Sequence, residues 1–230
     1  MPWPNVAEIE SVLPHDRWTL VGGLMVQLHA VRRGIDAVRA TNDVDMAIHV
    51  ETTRGVAAET ASALSRLGYA FTPSIDARTR TAHRFARGGS VVDVLVADHA
   101  APKVVEPLHG RAMVRLPGGT QALRRTLEAH LEIAGWGATT ISVPSTFAAL
   151  ILKAAAYVAD SRDRERHLVD AAVLLATLED PYADREQFAG SDHRRLHSLA
   201  RALPDNATAW RTLPEPWRGD AQAALRILTA

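Results

Sequence analysis

The chain has 230 residues, with 26 Lys and Arg balancing 26 Asp and Glu, and 47% of its residues are hydrophobic. Zero formal charge and this apolar fraction exclude a disordered tail and a strongly basic nucleic-acid coat, and the length supports a core without metal or disulfide staples. The absence of cysteine excludes thiolate metal sites, a cysteine nucleophile and redox switching, and fits a reducing, cytoplasmic setting.

The opening residues MPWPNVAEIE carry no basic segment leading into an apolar stretch. No apolar run approaches the ~18 residues of a membrane span, so neither a signal peptide nor a membrane partner is expected. Residues 17–21 (RWTLV) predict a short strand running into Gly22-Gly23, and residues 24–34 have helical spacing that stops at Gly34. Val44, Met46 and Ile48 alternate with Asp43, Asp45 and Ala47 as in a second strand, and 52–67 predicts a helix ended by Gly68. Residues 69–72, 82–86 and 90–97 read as further strands separated by turn-rich stretches. The expected class is therefore α/β (α+β), a mixed sheet with helices packed against it. Between 101 and 144 the pattern is mixed, with a turn at Pro117-Gly118-Gly119 and a late strand at Ile141–Val143. From Ser145, a residue suited to capping, helices are predicted to Ala159, over 163–178, over 192–202 and over 217–228. Two domains follow, residues 1–144 with the sheet and residues 145–230 as a helical bundle.

The strongest chemical signal is Asp43-Val44-Asp45. Positions two apart in a strand face the same side, so both carboxylates project together while Val44, Met46 and Ile48 hold the other face. Neighbouring carboxylates repel unless a cation lies between them. Hard Mg²⁺, or Mn²⁺ in its place, suits such oxygen donors and keeps positions open for phosphates. A third carboxylate, Asp93, interrupts the apolar run Val91-Val92-Asp93-Val94-Leu95-Val96, where a charge is costly unless it is paired or bound to metal. If that strand neighbours the Asp43 strand, three carboxylates converge as two-metal phosphoryl transfer requires; the competing partner is Arg84. Gly22 and Gly23 would let backbone N–H groups approach a phosphate beside a helix N-terminus. The Thr41 hydroxyl either contacts a phosphate or caps the strand.

Strand, Gly-Gly, helix, Asp-x-Asp on the next strand and a lone Asp on a later one resembles the nucleotidyltransferase superfamily related to DNA polymerase beta. Within it, the runs VGG, RATNDVDMAI, VVDVLV and LILKAAAYVADSRDRERHLVDAAVLL, over roughly residues 18–178, resemble the AbiEii/MenT-like family of bacterial toxin nucleotidyltransferases. That resemblance implies a nucleotidyltransferase core followed by a helical domain, and Mg²⁺-dependent transfer of a nucleoside monophosphate from an NTP to an acceptor. In characterised cases the acceptor is a tRNA 3′ end, the enzyme is the toxin of a toxin-antitoxin pair, and a cognate antitoxin is the expected partner. Asp43 and Asp45 match the metal ligands and Asp93 the third carboxylate, while Lys153 and Asp170 match the lysine and aspartate of the helical domain. The chain departs from the family in a longer Gly23-to-Asp43 gap and in His167, which stands where a Lys-Asp pair is more usual.

On this reading Lys153, one of only two lysines, offers an ammonium to the triphosphate, its alternative being a surface lysine. Asp170 would orient Lys153 or Arg166. Transfer to a small aminoglycoside-like molecule or to a protein side chain would use the same three carboxylates, and a non-catalytic nucleotide-binding module is a further alternative. Arg162 and His167 have the spacing used by HEPN ribonucleases, and Arg124-Arg125, Arg162, Arg164, Arg166 and Arg194-Arg195 could form an RNA-binding patch diluted by neighbouring acids.

Overall fold

The computed structural model describes residues 2–36, 39–73 and 81–230; the turn-rich stretch between the strands expected at 69–72 and 82–86 lies partly outside them. In chain order, α1 (Trp3–Glu10) precedes β1 (Trp18–Val21), which runs directly into α2 (Gly22–Arg32). Next come β2 (Asp43–Ile48), α3 (Val56–Arg66), β3 (Ala70–Thr72), β4 (Thr81–Ala82), β5 (Arg84–Arg87) and β6 (Ser90–Ala97). They are followed by β7 (Ala112–Met113), β8 (Arg115–Leu116), α4 (Gly119–Leu123), β9 (Thr126–Ile133) and β10 (Gly137–Pro144). The remainder is helical: α5 (Thr146–Ala159), α6 (Arg164–Thr177), α7 (Pro181–Glu186), α8 (Asp192–Ala202) and α9 (Glu215–Thr229). The class is α/β, as expected, and the sheet is mixed. Among the described residues no helix is long and apolar enough to cross a membrane.

The chain forms two compact units. The first comprises Met1–Leu24 and Ala40–Pro144, the second Met25–Arg39 and Ser145–Ala230. Where the sequence places all of residues 1–144 with the sheet, the segment from Met25 to Arg39, most of α2 included, clusters with the C-terminal helices.

In the first unit the sheet has the order β1-β2-β6-β5-β3, with β8 also pairing β6. β2 and β6 run parallel, and β1 and β5 flank them antiparallel. Alternation explains both central strands: Val44, Met46 and Ile48 of β2 and Val92, Val94 and Val96 of β6 are fully buried, each worth about 1.5–3 kcal/mol against exposure. β6 matches the expected strand residue for residue. The expected strand at 82–86 is divided into β4 and β5, and α3 begins at Val56 rather than residue 52 because turns follow β2. The stretch at 101–144 holds a long antiparallel hairpin, β9 with β10, of which the sequence indicated only Ile141–Val143.

In the second unit α5 lies almost wholly inside, with Phe147, Leu150, Ile151 and Ala154 buried, and contacts α6 and α8. Its start is set by Ser145, whose Oγ accepts a hydrogen bond from the Ala148 N–H at 3.3 Å, one of the donors that a helix start leaves without a partner. The α2 segment belongs to this unit through several contacts: the His29 ring lies 3.2 Å from Thr146 Oγ1, and Arg32 Nη2 lies 2.9 Å from Glu179 Oε1.

Candidate functional site

The parallel pairing of β2 with β6 sets Asp45 opposite Asp93 and Asp43 opposite Val91. Asp43, Asp45 and Asp93 each contribute a carboxylate oxygen to a group whose members all lie within 4.8 Å of one another. The neighbouring strands required by the sequence argument are therefore present. Asp43 and Asp45 are half-buried, whereas Asp93 is only 7% exposed.

Each carboxylate is held by a different device. The buried Thr41 hydroxyl donates a short hydrogen bond to Asp43 Oδ1. Asp45 rests against Gly22: a Cβ on that glycine would stand 1.8 Å from Asp45 Oδ2 and 2.5 Å from its Cγ, and Gly22 has φ +71°. A Cβ on Gly23 would come within 2.9 Å of the Thr41 side chain. Within this unit the glycine pair thus makes room for Asp45 and Thr41, a closer role than the phosphate approach expected from sequence.

Asp93 is held by Arg84, which faces it across the antiparallel β5–β6 register. Arg84 Nε donates to Asp93 Oδ1 at 2.9 Å and Nη2 to Oδ2 at 2.7 Å, a two-pronged charge-assisted contact. These hydrogen bonds raise the guanidinium's pKa further, with added attraction from Asp43 and Asp45. Both readings of Asp93 thus hold together: it has an arginine partner, and it stands in the acidic cluster.

The donor set fits a hard divalent cation. It is all oxygen, drawn from adjacent strands whose register brings the three carboxylates together. An ionised carboxylate has about four lone-pair positions, so the Arg84 contact leaves Asp93 acceptor capacity facing its neighbours.

Lys153 and Asp170 are brought together in the helical unit. Both are buried, and Lys153 Nζ lies 2.7 Å from Asp170 Oδ2, a contact ion pair without hydrogen-bond alignment. Arg39 Nε approaches the other Asp170 oxygen at 3.6 Å, a partner the sequence reading did not identify. Arg166 goes instead to Asp160 at 3.1 Å and Asp163 at 3.8 Å. His167 Nε2 lies 3.1 Å from Asp160 Oδ2, and burial pulls the ring's pKa down despite that acid. Asp160 also accepts the Arg162 N–H, the first of several contacts that hold its pKa far below the usual carboxylate range. Arg164 lies over the Tyr157 ring. The Arg164, Arg166 and His167 side chains, with the Arg162 N–H, knit the turn between α5 and α6.

Compared with known proteins, the chain matches no family model, no curated protein and no solved structure.

Proposed function

We propose that the protein is a metal-dependent nucleotidyltransferase that moves a nucleoside monophosphate from an NTP to an acceptor hydroxyl and releases pyrophosphate. The observation that carries this reading is the meeting of Asp43, Asp45 and Asp93 within 4.8 Å on adjacent parallel strands. A divalent Mg²⁺ or Mn²⁺ held there would supply attraction for the triphosphate and offset charge developing at the α-phosphate. The chain's own contribution is placement. Thr41 fixes the Asp43 carboxylate, the bare Gly22 admits Asp45, and Arg84 sets the plane of Asp93. In the transfer, the acceptor oxygen bonds to the α-phosphorus as the bond to the oxygen bridging the β-phosphate breaks. Pyrophosphate leaves with that oxygen, and the hydroxyl proton is released to water.

The resemblance supplies the finer assignments. They are a tRNA 3′ end as acceptor, a cytoplasmic toxin controlled by a cognate antitoxin, and a nucleotide-contacting role for Lys153 with its partner Asp170. The Arg84–Asp93 contact favours a second reading, a nucleotide-binding module without turnover, because an arginine already answers the most buried of the three acids.

The test is incubation of the wild type and Asp43→Ala with Mg²⁺, each α-³²P-labelled NTP in turn, and total tRNA, followed by a denaturing gel. Label on RNA with the wild type, reduced on the order of 10³-fold or more in the variant, is the expected result. Pyrophosphate released only with other acceptors would move the acceptor to a small molecule or a protein. No turnover with any NTP would leave the binding module as the function.

A further inference from the structure

Of the contacts described above for the acidic cluster, those of Thr41 and Gly22 bring no charge, and that of Arg84 does. Its guanidinium grips both oxygens of Asp93, its side chain is 44% exposed against 10% for that of Asp93, and it is attracted by Asp43 and Asp45 as well. Arg84 therefore offsets charge for the cluster as a whole as well as for Asp93. The placement matters for any cation that enters. At a Mg–O distance of about 2.1 Å, an ion held by Asp93 stands within roughly 6 Å of the guanidinium, and over that span a unit charge changes the affinity of a divalent ion about tenfold even at the dielectric of water.

We propose that Arg84 is a positioning residue that withholds the acidic cluster from free divalent cations and favours a cation carried in on a polyphosphate. The inference rests on the metal-nucleotide reading above. A bare Mn²⁺ is repelled by Arg84, whereas a Mn²⁺–triphosphate complex carries net negative charge and is attracted by it, so the residue weights the site toward a metal that arrives with its substrate. Removing the charge must therefore move the two affinities in opposite directions. Loss of a structural contact alone would weaken both.

The experiment measures binding of Mn²⁺ alone by the spin-resonance signal of the free ion, and binding of the preformed Mn²⁺ complex of inorganic tripolyphosphate, a probe that carries no base, by titration calorimetry. It uses the wild type, Arg84→Gln, Arg84→Ala, Arg84→Lys and Asp43→Ala, each first checked for a cooperative thermal transition. The expected result is that Arg84→Gln and Arg84→Ala bind Mn²⁺ alone about tenfold tighter and Mn²⁺–tripolyphosphate severalfold weaker, while Arg84→Lys stays within threefold of the wild type for both. Equal or weaker Mn²⁺ binding by both neutral variants overturns the role of Arg84 and leaves the metal site standing. Failure of both to fold overturns it too, by making Arg84 a structural residue. Binding by neither the wild type nor the neutral variants, or binding that survives Asp43→Ala unchanged, overturns the metal reading itself.

Discussion

Gly22→Ala tests whether the glycine after β1 serves the acidic cluster. At φ +71° an alanine carries left-handed strain, on the order of 1–2 kcal/mol. Its Cβ would also start 1.8 Å from Asp45 Oδ2, so the carboxylate must retreat by roughly 1.6 Å to reach an ordinary contact, whereas metal–ligand distances tolerate about 0.2 Å. The expected outcome is a modest loss of stability, a fall of about 4–8 °C in melting temperature for about 2 kcal/mol. With it is expected a loss of Mn²⁺ affinity, and of the proposed nucleotidyl transfer, on the order of 100-fold. Gly34→Ala is the matched control, since Gly34 has φ +70° and nothing within 4 Å of the added atom; it carries the strain without the collision. Scanning fluorimetry and Mn²⁺ titration of both variants decide the matter. Wild-type Mn²⁺ affinity in Gly22→Ala, or an equal loss in Gly34→Ala, would refute the reasoning.

Burial of titratable side chains gives one expected outcome in each unit. Asp170→Ala leaves the Lys153 ammonium, whose side chain is 8% exposed, without its closest counter-charge, and should cost about 3–5 kcal/mol in thermal denaturation; Lys153→Met with Asp170→Leu should recover most of that loss. His49 is held neutral chiefly by burial, which lowers its pKa from 6.5 against the opposing pull of Asp16. The unfolded chain therefore takes up a proton near pH 6.5 that the folded chain refuses, so the stability tied to His49 is complete above that pH and declines as pH falls toward the lower folded value. Melting curves from pH 7.5 to 5 should fall less steeply for His49→Gln than for the wild type.

Much of the site was legible because its signals are local. In β6 a single Asp breaks an apolar alternation, and in β2 two acids share one face; only the adjacency of the strands had to be assumed. The Arg84 pairing could be read further than it was. Gly88-Gly89 form a two-residue turn between Arg87 and Ser90, and counting outward from such a hairpin sets Arg84 against Asp93. The β9 strand was missed although TLEAHLEI alternates, because its inner face is only half-buried and its pairing depends on β10. Helix α1 was missed because prolines near its start mask the burial of Val6 and Ile9. The Arg39–Asp170 approach joins positions far apart in sequence, and no local pattern marks it.

The division of the chain has a consequence for the order in which the molecule can be built. Synthesis delivers Met25–Arg39 early, yet the partners of that segment, Thr146, Asp170 and Glu179 among them, emerge only after the whole of Ala40–Pro144. The sheet unit can close first, with the α2 segment waiting unpaired on the ribosome until the last helices arrive. That ordering makes folding of the helical unit a late, long-range event. It also means that a fragment cut at Ser145 would lack a strand of chain its helices were shaped to receive.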